Sequence, residues 1–170
     1  MATVSGWLIG VALLGNLALA DDFGEAYTAY EKGDYEKAVE FYERACNEGS
    51  AFGCGNAGYM YSRGVVVKQD YFKAVEFYEK ACDGGSIKDC GNLGLMYADG
   101  QGVKQDYFKA VKLYEKACGG GNALGCGNLG VCYEFGNGVK KSLSKALEYY
   151  GIACDMKEQK GCESYARLKR

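Results

Sequence analysis

The strongest constraint on the fold is an internal repeat with a period of 36 residues. The stretch VKQDYFKAV occurs at 67–75 and again, unchanged, at 103–111. Eight cysteines keep the same period in two series. The first series is Cys46, Cys82, Cys118 and Cys154, and the second is Cys54, Cys90, Cys126 and Cys162. A fixed period of this length without a strand signal predicts an all-α solenoid of stacked helix pairs.

Each repeat divides into two helices, which we call helix A and helix B. Helix A contains the segments CGNAGYMY, CGNLGLMY and CGNLGVCY. Helix B contains YFKAVEFYEKAC and its copies, in which alanine, valine and tyrosine recur three and four residues apart and form one apolar stripe. A residue that can cap the first turn precedes each helix. The predicted N-caps are Ser50, Ser86 and Asn122 for helix A, and Asp34, Asp70, Asp106 and Ser142 for helix B.

Two glycines recur inside every copy of helix A. Each costs roughly 1 kcal/mol relative to alanine in a helix interior, so the recurrence needs a structural reason. Close approach of neighbouring helices is the simplest one. The six positions are Gly55, Gly58, Gly91, Gly94, Gly127 and Gly130.

The first twenty residues differ from the repeats and predict a secretory signal peptide. Residues 7–20 are uncharged and mostly apolar, and they end in Ala-Leu-Ala before two aspartates. The run is too short to span a bilayer comfortably, although the preceding MATVS has no basic residue. We predict cleavage after Ala20, a secreted or periplasmic location and no stable membrane insertion.

The remaining residues, 21–170, are predicted to form a single repeat domain. The period divides it into five parts. These are an N-terminal unit at 23–45, full units at 46–81, 82–117 and 118–153, and a C-terminal capping helix at 154–170.

Charge and composition exclude several classes of function. The formal net charge is -2, so no basic surface attracts nucleic acid. The chain has no histidine, the commonest general base and metal ligand. We predict a monomer that needs neither a metal nor a cofactor.

The loop and the start of helix B resemble the Sel-one-like repeat family, a relative of the tetratricopeptide repeats. The pattern is LGLMYADGQGVKQDYFKA at 93–110 and LGVCYEFGNGVKKSLSKA at 129–146. The first full unit departs at Val66, where later copies have Gly102 and Gly138, so its loop is expected to bend differently. Period, glycines, capping residues and cysteine spacing all agree, and the resemblance extends over essentially all of the repeat region.

The two cysteines eight residues apart in every unit are similar to those of a secreted cysteine-rich subgroup known from Helicobacter and Campylobacter-like bacteria. This resemblance implies a right-handed α/α superhelix with one disulfide per repeat. Members of the subgroup are associated with penicillin binding and slow β-lactam hydrolysis, and with interaction with host or partner proteins.

The cysteine spacing favours structural disulfides over metal or redox chemistry. Zinc sites usually contain closely spaced cysteines and often histidine, and redox pairs usually have two intervening residues. Eight cysteines permit 105 pairings, of which repeat symmetry selects one. It joins Cys46 to Cys54, Cys82 to Cys90, Cys118 to Cys126, and Cys154 to Cys162.

Cys132 is left as a free thiol in this pairing. It occupies the helix A position that carries Met60 and Met96 in the other copies. A buried, small hydrophobic side chain is therefore predicted there.

Two motifs match enzyme signatures but fall on repeat positions. GCGNAG and GCGNLG satisfy G-x-G-x-x-G, yet no strand precedes either one. SLSK at 142–145 satisfies the S-x-x-K of penicillin-recognising serine enzymes, but S-D-N and K-T-G are absent. Ser142 and Lys145 are thus retained only as minor catalytic candidates, since an N-cap and an exposed helix residue are simpler interpretations. No other catalytic residue is predicted.

The concave face of a solenoid is built from one helix per unit, so residues of helix A are the candidates for ligand contacts. Six of them differ between copies: Tyr59, Leu95, Val131, Arg63, Asp99 and Phe135. Three asparagines repeat: Asn56, Asn92 and Asn128. The asparagines either form a polar ladder in the groove or satisfy backbone groups near the loop.

These patterns favour a disulfide-stapled scaffold that binds a protein or peptide, of the host or of the cell envelope, through its concave face. The alternative is a penicillin-binding protein or slow β-lactamase with a β-lactam or peptidoglycan-like ligand. A thiol oxidoreductase is the third hypothesis.

Overall fold

The computed structural model describes residues 24–65 and 67–170, and all regular secondary structure in these ranges is helical. Residues 24–31 form α1. The eight helices that follow are α2 (Tyr35–Asn47), α3 (Ala51–Arg63), α4 (Tyr71–Asp83), α5 (Ile87–Asp99), α6 (Tyr107–Gly119), α7 (Ala123–Phe135), α8 (Leu143–Asp155) and α9 (Gln159–Leu168). The predicted signal peptide and the loop difference at Val66 lie outside the described residues. In the described ranges, no helix combines the length and apolar character that a membrane span requires.

The helices stack in chain order. Copies of helix A are α1, α3, α5, α7 and α9, and copies of helix B are α2, α4, α6 and α8. The most extensive contacts among the described helices join consecutive helices, from α2 with α3 to α8 with α9. Such nearest-neighbour packing defines a solenoid, so the predicted all-α solenoid is confirmed.

Capping side chains determine where the helices begin. Most predicted N-caps accept a hydrogen bond from the backbone N–H three residues later: Ser50, Asn122, Asp34, Asp70, Asp106 and Ser142. Ser86 is different, because its hydroxyl donates to the Asp89 carboxylate and makes no cap bond. This exception lies at the start of α5, beside the cleft described below.

Helix B packs a buried tyrosine against glycine of helix A. Tyr78, Tyr114 and Tyr150 are at most 3% exposed. A Cβ atom on the glycine beneath each ring would lie only 2.6–2.9 Å from a ring carbon. The predicted close approach is therefore confirmed for three positions, Gly58, Gly94 and Gly130.

At the other three helical glycines, the nearest neighbour of an added Cβ atom is not a tyrosine ring. A Cβ on Gly55 would collide with the Asp89 carboxylate. Gly91 and Gly127 have their nearest neighbour at 3.6 Å, which leaves ordinary room for a methyl group. The prediction of close helix approach is wrong for Gly91 and Gly127.

Four disulfides join the end of each helix B to the start of the next helix A, as repeat symmetry predicts. The bonded pairs are Cys46–Cys54, Cys82–Cys90, Cys118–Cys126 and Cys154–Cys162, with Cα–Cα distances of 4.4–4.7 Å. Each bond therefore fixes one helix pair to the next along the solenoid.

The loops between helix A and helix B lie directly on the preceding unit. Gly102 and Gly138 both have a φ of +69°. A side chain at either position would collide with the backbone of Tyr71 or Tyr107 at the start of the preceding helix B. Glycine is required there both for its positive φ and for the absence of a Cβ atom.

Candidate functional site

Two adjoining clefts run along α1, α3 and α5, the first three copies of helix A. Each has a volume of about 500 Å³. The first cleft is lined by five aromatic rings, Tyr27, Tyr30, Tyr42, Phe52 and Tyr59, and by Asn56, Ser86, Lys88, Asp89 and Asn92. The second cleft continues from it over Arg63, Leu95 and Asp99 and shares Tyr59, Lys88 and Asn92 with it. Together they form what we call the helix A groove.

Six of the predicted ligand-binding residues line the groove: Asn56, Tyr59, Arg63, Asn92, Leu95 and Asp99. The remaining three, Asn128, Val131 and Phe135, lie on α7, beyond the two clefts. Phe135 is 63% exposed, so this part of the predicted surface is open rather than enclosed. The structure therefore brings together the candidates of α3 and α5 and leaves those of α7 apart.

The asparagines of the groove make intramolecular hydrogen bonds. The Asn56 side-chain amide donates to the Phe52 carbonyl oxygen at 3.0 Å. The Asn92 amide donates to Asp89 Oδ1, also at 3.0 Å. Their amide nitrogens thus help to hold the groove wall, while each side-chain oxygen keeps its capacity to accept a hydrogen bond.

Several groove residues were not among the sequence candidates, including Tyr27, Tyr30, Phe52, Lys88 and Asp89. Phe52 and Lys88 occupy equivalent positions in successive copies and differ, so the rule applied to Tyr59 and Leu95 would have found them. Tyr27 and Tyr30 lie in the first unit, whose shortened loop breaks the 36-residue register.

The two clefts differ in charge. The first contains the buried carboxylate of Asp89, which is 6% exposed. The second contains Arg63 and Asp99, and Lys88 lines both clefts. The Arg63 guanidinium lies 5.9 Å from the ring centre of Tyr59, on the wall between the two clefts. The groove thus offers aromatic surface and charges of both signs.

A buried phenol adds a neutral hydrogen-bonding group to the second cleft. The hydroxyl of Tyr78 lies 3.2 Å from Ser62 Oγ, and desolvation by burial raises the pKa of Tyr78. The phenol therefore keeps its proton at neutral pH.

Ser142 and Lys145 have the geometry of a helix start. Ser142 Oγ accepts from the Lys145 backbone N–H at 3.4 Å and lies 3.1 Å from Ser144 Oγ. The Lys145 amine lies 4.9 Å from the ring centre of Tyr133. The same lysine–tyrosine contact recurs in the other units, for Lys73 over Tyr61 and Lys109 over Tyr97. The amine is therefore engaged with an aromatic ring as part of the repeat.

Cys132 is the free cysteine, and it is buried. Desolvation raises the pKa of its thiol to about 11, so the group is protonated at neutral pH. Within 24–65 and 67–170, no cluster of cysteine and acidic residues is arranged to hold a metal ion.

Comparison with known proteins places these features in a family. The Sel1 repeat model matches residues 16–50, 51–86, 90–122 and 123–157, which together make up more than half of the chain. Among curated proteins, the chain is 47% identical over 47 residues to HcpD of Helicobacter pylori, whose name reads "Putative beta-lactamase HcpD". That match covers 28% of this chain and only 15% of HcpD.

Two solved structures are also similar. Helicobacter pylori cysteine rich protein B has a TM-score of 0.59 and 32% identity, and the match covers 76% of this chain and 93% of that one. The protective antigen c5321 of uropathogenic Escherichia coli, which displays an SLR fold, has a TM-score of 0.83 and 30% identity. The match covers 88% of this chain and 33% of the antigen. Helix pairs, loop glycines and the matched repeats agree: the chain belongs to the Sel1 repeat family.

Proposed function

We propose that this protein is a secreted or periplasmic scaffold that binds a protein or peptide partner in the helix A groove. The observation that carries the proposal is the pair of adjoining clefts, each about 500 Å³, lined by six residues that repeat analysis selects as ligand contacts. Two clefts in series suit an extended chain that places successive side chains in successive pockets.

Exposed apolar side chains support the same function. Tyr59 is 43% exposed, Phe52 58% and Leu95 40%, and all three line the groove. A surface that leaves aromatic and aliphatic side chains in water at one continuous site is typical of a binding surface. Disulfides on both sides of α3 and α5 keep this surface rigid, which lowers the entropic cost of binding.

The disulfides also support an extracytoplasmic location. Such bonds form and persist in oxidising compartments and are rare in the bacterial cytoplasm. All four join neighbouring helix pairs, so a reducing compartment would deprive every repeat junction of its crosslink. The proposal includes removal of residues 1–20 and a mature chain that forms one repeat domain.

Peptide selection on the oxidised mature chain tests the proposal. A displayed library of random peptides is selected on the immobilised protein, and the affinities of the enriched peptides are measured by fluorescence anisotropy. We expect Tyr59→Ala to weaken binding at least about tenfold, because this ring borders both clefts.

Phe72→Ala is the matched control. Phe72 is 74% exposed on α4 and lines neither cleft, so its removal deletes an exposed aromatic ring elsewhere on the protein. Binding in the groove would be contradicted if the two variants lost equal affinity for the enriched peptides. It would also be contradicted if both variants bound the peptides as tightly as the parent protein.

A further inference from the structure

The floor of the first cleft contains a buried carboxylate with neutral partners only. Asp89 Oδ2 accepts from Ser86 Oγ at 2.5 Å, and Oδ1 accepts from the Asn92 amide at 3.0 Å. In the described ranges, no lysine or arginine forms an ion pair with it, whereas the other buried carboxylate, Glu134, is paired with Arg167. A carboxylate offers about four acceptor sites, so Asp89 has capacity for a further donor.

Asp89 stands where the fold prefers glycine. The equivalent residues in α3, α7 and α9 are Gly53, Gly125 and Gly161. A Cβ atom on these glycines would lie 2.7–2.8 Å from an alanine Cβ of the preceding helix B. Asp89 therefore introduces a side chain at a close contact between helices, and its carboxylate packs against the Cα of Gly55.

The carboxylate also changes the start of its own helix. Ser50 and Asn122, the equivalents of Ser86, cap their helices through side-chain hydrogen bonds. Ser86 instead donates to Asp89 and makes no such bond. Asp89 thus departs from its repeat in two ways: it replaces a glycine and it removes the cap bond of Ser86. Because it does so inside a cleft, ligand binding explains these departures more readily than stability does.

Aromatic rings line the same cleft as this carboxylate. Tyr27 and Phe52 are more than half exposed, and Tyr59 lies at the boundary with the second cleft. The negative faces of such rings attract cations, most strongly where water is excluded. A cleft that contains a buried carboxylate and several aromatic rings is thus complementary to a cation on an apolar stem.

We propose that the first cleft binds the basic side chain, arginine or lysine, of a peptide in the helix A groove, with Asp89 as its counter-ion. This inference rests on the proposed function and specifies the chemistry of the partner. The Asp89 carboxylate accepts hydrogen bonds from the charged head, Ser86 and Asn92 hold that carboxylate in place, and the rings cover the aliphatic stem. Lys88, exposed and shared by both clefts, is the competing cation.

Amino-acid amides test this assignment without a known partner. N-acetyl-arginine amide and its neutral isostere N-acetyl-citrulline amide are titrated into ¹⁵N-labelled, disulfide-bonded mature protein. We expect saturable shifts at the backbone amides of Gly55, Asp89 and Asn92, with a Kd at least about tenfold lower for the arginine derivative. Equal affinities of the two compounds would overturn the proposal.

Three variants test whether Asp89 causes the preference for arginine over citrulline. Asp89→Asn keeps the shape of the side chain and is expected to abolish the preference for arginine over citrulline. Asp89→Gly introduces the residue of the equivalent positions, so it should fold even if the asparagine variant does not, and it should lose the same preference. Lys88→Gln is expected to strengthen arginine binding about twofold to fivefold, because a nearby like charge is removed. Retention of the preference in both Asp89 variants would contradict the assignment.

Three further outcomes bear on this inference, and two of them separate it from the proposed function. Selected peptides that bind the groove and lack basic residues would leave the proposed function intact and overturn this inference. Tight binding of tetramethylammonium without binding of the arginine derivative would also overturn it, since the cleft would then take a quaternary ammonium ligand. Arginine binding in a protein that selects no peptide would support the cation site alone and contradict the proposed function.

Discussion

Arg167 in the last helix donates to Glu134 Oε2 at 2.7 Å and so ties α9 to the buried side of α7. The same carboxylate accepts from the Tyr150 hydroxyl, also at 2.7 Å. Glu134 is 6% exposed, whereas the Arg167 side chain is 56% exposed. One carboxylate therefore joins three helices at the C-terminal end of the solenoid.

This contact predicts a pH dependence of stability. The hydrogen bond from Arg167 holds the pKa of Glu134 below its usual value, despite partial desolvation. A depressed pKa in the folded state contributes stability above the unfolded pKa of about 4.3, and the contribution is lost as the pH falls through the folded pKa. Glu134→Gln should lower the free energy of unfolding by about 1 kcal/mol at neutral pH. Urea denaturation at pH 7 and near pH 2 measures the effect, and an equal difference at both pH values would contradict the prediction.

Alanine substitutions at two glycines of α5 should have opposite effects on the stability of the protein. Gly94→Ala places a methyl group 2.6 Å from a ring carbon of Tyr114 and should destabilise the protein by about 1–3 kcal/mol. In Gly91→Ala, the nearest neighbour of the new methyl group lies 3.6 Å away. This substitution should therefore stabilise the protein by up to about 1 kcal/mol through helix propensity. Chemical denaturation of the two variants compares them directly. A shift of the same sign in both would show that steric contact with Tyr114 does not decide the outcome.

The free thiol of Cys132 should be unreactive in the native protein. It is 4% exposed, and burial raises the pKa of the thiol to about 11, so little thiolate exists at pH 8. Titration with a thiol reagent should detect no rapid reaction in native protein and one thiol per chain after denaturation without reductant. More than one thiol under denaturing conditions would contradict the four disulfides.

Removal of an interior disulfide should destabilise the whole solenoid. The Cys82→Ala, Cys90→Ala double variant opens the bond between α4 and α5 and should lose roughly 2–3 kcal/mol. The matched double variant at Cys154 and Cys162 frees only α9, so it should leave the main thermal transition nearly unchanged. Calorimetry of the two variants measures the difference, and equal losses in Tm would argue against packing between nearest neighbours.

Ser142→Ala should affect the stability of α8 rather than any turnover. Loss of the cap costs about 1 kcal/mol, a value typical of serine N-caps. Any hydrolysis of a chromogenic cephalosporin by the purified protein should be the same in the variant, because the Lys145 amine lies on the ring of Tyr133. A turnover that disappears in Ser142→Ala while the variant stays folded would restore this serine as a catalytic residue.

The fold was predictable from sequence because its determinants are local and repeated. A capping side chain, an apolar stripe and a loop glycine act within a few residues, and the 36-residue period shows each of them several times. The disulfides followed for the same reason, since cysteines eight residues apart lie across one turn between consecutive helices. Gly91 shows the limit of this reasoning: it repeats like Gly94 but has room for a side chain.

The lining of the helix A groove was only partly predictable. The residues of α3 and α5 that differ between copies were found, because equivalent positions face the same way. Tyr27 was not, since it lies in a unit that departs from the register, and its place in the first cleft depends on how α1 packs beside α3. The C-terminal candidates on α7 were predicted to join the groove, yet no residue of α7 lines either cleft.

By itself, the sequence determined the helices, their caps, their order and the covalent bonds between them. These features depend on neighbouring residues and on a period that can be read directly. Only the tertiary structure decided which side chains share a cleft, that Asp89 is buried without a cationic partner among the described residues, and that Lys145 lies on Tyr133. Such contacts depend on the distances and rotations between packed helices, which small differences at single positions change and which no local pattern encodes.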